Sequence, residues 1–194
     1  MANKIFYKHY VFLDEINNFI KNNLVKFNSI SIIIDINENN SKNLENQLSM
    51  IRFAKKNKIP FLIKNDFQKS TKYKANGVFI SSDNKKITKP ILLKKDFSIV
   101  GSAHNQFEYS QKFKQKCQLL MLSPIFFNEK YSKNKILNVL KFNNKSINWN
   151  VDLCALGGIN TKTLKKVKLT KSVAIAFKKI INNCKIKKPA YNLM

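Results

Sequence analysis

Short apolar runs alternate with amphipathic stretches along nearly the whole chain. Residues 10–13 form a brief apolar run, and 14–27 then place Ile16, Phe19, Ile20 and Leu24 at helical spacing. The run 30–36 is rich in isoleucine, as a strand buried on both faces of a parallel sheet would be. Ser41 suits a helix N-cap, with Glu45 near the positive end of the helix it would start. Leu44, Leu48, Ile51 and Ala54 carry that helical stripe to about Lys58. Further strands are predicted over 59–63, 77–80, 98–101, 119–122, 151–156 and 172–177. Helices are predicted over 105–116, on Phe107, Tyr109 and Phe113, and over 161–169, with a closing helix over 178–188.

Eight buried strands alternating with helices imply a parallel sheet, because parallel neighbours need crossover connections. Closing the eight gives a (β/α)8 TIM barrel, and leaving them open gives a doubly wound sheet. Polar residues and glycines follow the strand ends: Asn65-Asp66, Ser102-Ala103-His104, Ser123-Pro124 and Gly157-Gly158-Ile159-Asn160. Barrels carry their chemistry on that C-terminal rim, so the closed form is favoured. The expectation is one barrel domain over 1–194, with 185–194 as a tail.

Charge changes this picture less than its size suggests. The chain carries 36 basic and 11 acidic residues, a net +25. Arg52 is its single arginine, and Lys, Asn and Ile together make 85 of 194 residues. A/T-rich codons supply all three, so base composition accounts for the bias. A nucleic-acid reader tends to use arginine, whose planar fork grips phosphate and guanine in two places. The lysines are scattered, so a solvated surface is favoured over a nucleic-acid footprint. No apolar run approaches the roughly 18 residues that span a bilayer, and the first residues do not read as a secretory signal. These features lead us to expect a soluble cytoplasmic protein, and they fix no oligomeric state. Cys117, Cys154 and Cys184 are odd in number and widely spaced, which suggests neither a disulfide framework nor a zinc site.

Five blocks, in order, carry a resemblance. They are Ile59-Pro60-Phe61-Leu62-Ile63-Lys64-Asn65-Asp66, Ala75-Asn76-Gly77-Val78-Phe79-Ile80, Gly101-Ser102-Ala103-His104-Asn105, Leu122-Ser123-Pro124-Ile125-Phe126 and Ala155-Leu156-Gly157-Gly158-Ile159-Asn160. Together they resemble the thiamine phosphate synthase family, including its TenI-like thiazole tautomerase branch. The resemblance implies small phosphorylated heterocyclic substrates. The synthase joins a hydroxymethylpyrimidine diphosphate to a thiazole phosphate, with magnesium holding the diphosphate. The tautomerase isomerises the thiazole phosphate by proton transfer.

Glycines Gly157 and Gly158 let the backbone approach a ligand closely, and barrels often bind phosphate after strands seven and eight. The resemblance puts the thiazole phosphate there. Read for structure alone, the pair makes a chain reversal. The Ser102 hydroxyl can bond a phosphate oxygen, and the resemblance points it at the diphosphate. His104 can carry protons near neutral pH, since imidazole titrates at about 6.5; the alternative is a structural histidine opening the next helix. An ungapped register from Pro60 sets Lys64 and Asn65 on the family's Asn-Asp pair, and a one-residue slip sets Asn65 and Asp66 there. The magnesium carboxylates would then be Asp66 and Asp83, with Asn84 on the second family position; Asp66 alternatively just begins a helix. The family's basic pair is missing near residues 34–38. Its Thr-x-Thr-Lys loop is replaced by Asn128-Glu129-Lys130-Tyr131, where Lys130 can still supply a cation. The leading reading is a divergent synthase and the runner-up a TenI-like tautomerase; the rivals from other classes are a non-catalytic barrel that binds a phosphorylated ligand and a nucleic-acid binder.

Overall fold

The computed structural model describes residues 8–25, 29–87, 96–127 and 135–178. Eight parallel strands close into a barrel in strict chain order, with β1 paired to β8. They are β1 (Lys8–Leu13), β2 (Ile30–Ile34), β3 (Phe61–Lys64), β4 (Gly77–Ile80), β5 (Ser98–Ala103), β6 (Leu119–Leu122), β7 (Asp152–Leu156) and β8 (Ala174–Lys178). The described helices are α1 (Asn18–Leu24), α2 (Ser41–Lys56), α3 (Phe67–Lys72), α4 (Gln106–Lys114), α5 (Asn138–Ile147) and α6 (Leu164–Val167). This is the (β/α)8 TIM barrel that the alternation implies. The proposed tail over 185–194, most of the proposed closing helix, Lys130 and Cys184 lie outside the described residues.

Successive strand residues point to opposite faces, which splits the core in two. Tyr10, Ile33, Leu62, Phe79, Val100, Met121, Cys154 and Ala174 fill the barrel interior. Ile32, Ile34, Phe61, Ile63, Leu120 and Leu122 point outward and pack with Leu24, Met50, Ala54 and Phe142 from the helices. Cys154 is fully buried inside the barrel, and burial pushes its thiol well above the ordinary value. Burial likewise pushes Cys117 up to about 12, so neither has the character of a nucleophile.

Asx side chains start four helices. Asn17, Asn40, Asp66 and Asn105 accept from the backbone N–H groups of Ile20, Asn43, Lys69 and Glu108, at 2.9, 3.1, 2.7 and 2.9 Å. The cap of α2 is therefore Asn40, and Ser41 is its first helical residue, one place on from the expected cap. Strand β5 runs two residues beyond the predicted end, through Ser102 and Ala103. Helix α5 was not predicted. It is followed by Trp149, whose ring stacks on Tyr109 with centroids 4.7 Å apart and whose Nε1 donates to Gln106 Oε1 at 2.8 Å.

Candidate active site at the barrel mouth

The strand parity decides which residues reach the C-terminal mouth. Lys64 lies two places beyond inward-facing Leu62, and Ser102 two beyond Val100. Ser102 is 7% exposed at the end of β5. Lys178 ends β8 opposite Phe12 of β1, and its Nζ sits 5.1 Å from the centre of the Phe12 ring. Phe12 in turn packs edge-on against Phe79 of β4, with centroids 5.1 Å apart. The mouth thus has an aromatic floor with polar groups around its edge.

His104 follows β5 and is held at three points. Its Nδ1 lies 2.8 Å from the Ser123 carbonyl, its backbone N–H donates to Glu108 Oε2 at 2.7 Å, and its carbonyl accepts from Lys145 Nζ at 2.6 Å. A carbonyl only accepts, so Nδ1 carries the proton in that contact and the Nε2 lone pair of the neutral ring is left for other chemistry. Lys145 comes from α5 and Ser123 from the end of β6, so the β6–α5 unit holds both the ring and the backbone of a histidine that belongs to the β5–α4 unit before it. The sequence reading had Ser123 at a strand end but gave Lys145 no role, because its partner is 41 residues away.

Strands β3 and β4 are tied at their ends. Asn65, at φ 57°, donates its backbone N–H to Phe79 O at 2.7 Å. Its Oδ1 accepts from Ser81 N at 2.8 Å, and its Nδ2 donates to Ser81 Oγ at 2.7 Å. Lys64 Nζ donates to Asp35 Oδ2 at 2.6 Å. Asp66 turns away into its capping role and lies 3.7 Å from Lys69 Nζ. A hydrogen bond from Ser81 is the main influence holding the Asp83 carboxyl below its usual range, with Lys64 and Lys112 adding to it. The loop that carries Asp83 is gripped from α4: Lys112 Nζ donates to Asn84 O at 2.8 Å, and Gln115 Nε2 donates to Asn84 O and Lys86 O, both at 2.9 Å. A cavity of about 170 Å³ opens between this loop and the start of α3, lined by Asn65, Asp66, Phe67, Ile80, Asn84 and Lys86 among others.

Gly157 and Gly158 follow β7 at φ 92° and 69°. The segment after β6 runs directly beside them, with Ile125 N donating to Leu156 O at 3.0 Å and Phe126 N to Gly157 O at 3.1 Å. A Cβ on Gly158 would fall 2.5 Å from Phe126 O. Both glycines are therefore needed by the backbone itself, whatever else the turn does, and any side chain at Gly158 tests the fold before it tests a ligand.

A family model described as thiamine monophosphate synthase, of the TMP-TENI group, matches residues 20–181. The chain belongs to that family. Similar folds include a thiamine phosphate pyrophosphorylase from Pyrococcus furiosus, at TM-score 0.69 and 16% identity, covering 91% of this chain and 86% of that one. A thiamine phosphate pyrophosphorylase from Bacteroides thetaiotaomicron aligns at TM-score 0.55 and 13% identity, over 88% of this chain and 82% of that one. An N-acetylneuraminic acid synthetase from Leptospira borgpetersenii aligns at TM-score 0.56 and 11% identity, over 92% and 74%. At these identities the likeness is one of fold. No curated protein matches the chain by sequence. No helix among the described residues is long and apolar enough to cross a membrane.

The family implies magnesium, and the donors can be tested against it. Asp66 spends one carboxylate oxygen on the cap of α3 and holds the other near Lys69. Asp83 has Ser81 and the Lys64 charge beside it, and the neighbouring position is the amide Asn84. No group of three Asp, Glu, His or Cys side chains gathers among the described residues. Magnesium favours carboxylates free to turn toward it; as placed, these residues do not fit the ion.

Proposed function

We propose that the chain acts in thiamine biosynthesis on a thiazole phosphate seated in the barrel mouth, with proton transfer by His104 as its chemistry. One observation carries this reading: the Ser123 carbonyl fixes the imidazole so that Nε2 is the basic atom at the rim. In this scheme Nε2 takes a proton from one position of the heterocycle and returns it at another. The isomerisation balances within a single molecule and needs no metal. Ser102 and the backbone at Gly157-Gly158 hold the phosphate, where barrel geometry favours it. Asn65 and Ser81 keep the β3–β4 edge in place, Lys64 lines it, and Lys130 supplies a further cation.

A second reading is the coupling reaction of a thiamine phosphate synthase. The description of the family and the two pyrophosphorylases of similar fold favour it. It requires the mouth to hold a diphosphate, and for its magnesium Asp66 and Asp83 would first have to leave the cap of α3 and the Ser81 hydrogen bond.

One assay separates them. The purified protein is given the thiazole phosphate tautomers alone, followed by nuclear magnetic resonance, and then both phosphorylated precursors with magnesium. Tautomer exchange without coupling is expected, and His104→Gln should slow it about 100-fold or more while ligand affinity stays within a few-fold. Thiamine phosphate formation at enzymatic rates selects the second reading. Binding of the thiazole phosphate without either reaction leaves a non-catalytic barrel, and salt-sensitive nucleic-acid binding without phosphate-ligand binding would remove the barrel-mouth assignment.

A further inference from the structure

Lys145 is half-buried in the last turn of α5, and its Nζ donates to the His104 carbonyl at 2.6 Å rather than to a carboxylate. The three ion pairs among the described residues, Asp35–Lys64, Asp66–Lys69 and Glu38–Lys72, lie around β2, β3 and α3, and none includes it. The same amine sits 6.0 Å from the centre of the Trp149 ring, within reach of its negative face. Trp149 is itself clamped to α4 by Tyr109 and Gln106. The start of the same helix holds the other part of the arrangement. Leu137 N, just before α5, donates to Pro124 O at 3.0 Å, and Asn138 N donates to Ile125 O at 2.9 Å, which fixes the segment that follows Ser123. From Asn138 to Lys145 is two turns, about 10 Å along the axis and back to the same face. Phe142 between them is fully buried and anchors the helix in the core. One rigid helix therefore supports, at its start, the segment whose carbonyl accepts from the imidazole and, at its end, the histidine's own backbone.

We propose that Lys145 is a positioning residue: by holding the His104 carbonyl it keeps the imidazole seated on Ser123, with Nε2 bare at the rim. The inference rests on the reading that His104 moves the proton, and in it Lys145 touches no ligand. Glu108 holds the peptide before the His104 Cα through its N–H, and Lys145 holds the peptide after it. Fixing both peptides fixes the direction of the Cα–Cβ bond, from which the ring reaches Ser123 O at 2.8 Å. The Glu108 contact is local and comes with the start of α4, whereas the Lys145 contact crosses 41 residues. Without the amine the start of α4 survives, but the His104–Asn105 peptide gains freedom to turn. The bond to Ser123 then weakens. The preference for a proton on Nδ1 weakens with it, since the tautomer follows the hydrogen bond that the ring makes.

Nitrogen-15 spectra of the full chain, labelled at histidine, test this without any ligand. The chain has two histidines, so His9→Gln identifies the signals of His104. At about pH 9, well above the ordinary imidazole value of about 6.5, the wild type should show the proton on Nδ1. Lys145→Met should lower the ratio of the Nδ1–H form to the Nε2–H form about fivefold or more, and Lys145→Arg should restore it. In thiazole phosphate exchange, Lys145→Met should lose about tenfold in kcat while KM stays within about twofold. Trp149 is the single tryptophan and is 5% exposed, so its buried emission, with the melting temperature, verifies that α5 stays docked. If Lys145→Met fails that check, Lys145→Ala takes its place, since alanine keeps the helix. A wild type with its proton on Nε2, a Lys145→Met ring unchanged from wild type, or a loss that Lys145→Arg does not repair would each overturn the inference. A ratio that falls in Lys145→Met and returns in Lys145→Arg, in a protein that isomerises no thiazole phosphate, would uphold the role of Lys145 and sink the proton-transfer reading instead.

Discussion

Burying a lysine amine is costly unless its protons find acceptors, and Lys112 is fully buried. Its Nζ reaches Asn84 O and Gln115 Oε1, and its stem lies over Gly101, where a Cβ would come within 3.1 Å of it. Burial lowers its proton affinity from the ordinary 10.5, with Cys117, Asp83 and Glu108 opposing that shift. The sign follows directly. Below 10.5 the unfolded chain holds this proton more firmly than the folded one, so stability should climb as pH rises toward that value. Lys112→Met removes the effect. Urea unfolding at pH 8 and pH 10 should show the balance between the two proteins moving toward the wild type at the higher pH. A pH-independent difference would mean that the amine is not held against its burial. The residue links stability to the site, because the loop it grips carries Asp83.

Three helices end in the same way. Helices α2, α3 and α4 close with left-handed residues Lys58, Lys74 and Lys116, at φ 53°, 54° and 59°. The paired bonds Ile59 N to Ala54 O, Ala75 N to Ser70 O and Cys117 N to Lys112 O complete each end. Glycine is the usual residue there, since a side chain costs about 1–2 kcal/mol in that conformation. With four glycines in 194 residues, this chain keeps them for places such as Gly158, where a Cβ would strike backbone. Lys116→Gly should therefore stabilise by about 1 kcal/mol, seen as a melting temperature raised by about 2–4 °C. The strands were legible because runs such as Ile32-Ile33-Ile34 and Leu119-Leu120-Met121-Leu122 have few alternatives to burial in a parallel sheet. Helix α5 was not, since Asn143, Asn144, Lys145 and Ser146 interrupt its apolar stripe and its docking depends on Trp149 meeting α4. The same holds for the site. Ser102 and His104 could be read as rim residues because they follow a strand. Lys145 acquires meaning only from the His104 carbonyl, 41 residues away, and no local pattern carries that.

At the scale of the whole molecule, 36 basic residues surround a barrel whose described ion pairs occupy one arc. Self-repulsion of that kind weakens the compact state and is screened within about 10 Å at 0.1 M salt. Raising sodium chloride from about 20 to 500 mM should lift the melting temperature by a few degrees. A fall instead would mean that the exposed pairs outweigh the repulsion. Strict chain order has its own consequence. Each strand finds its partner soon after it leaves the ribosome, except the first, whose second neighbour is β8. At 5–20 residues per second, Lys8 waits about 10–30 s for Ala174. Until then the nascent sheet has two raw edges of backbone N–H and C=O groups, and the cell's folding helpers meet it in that half-finished form.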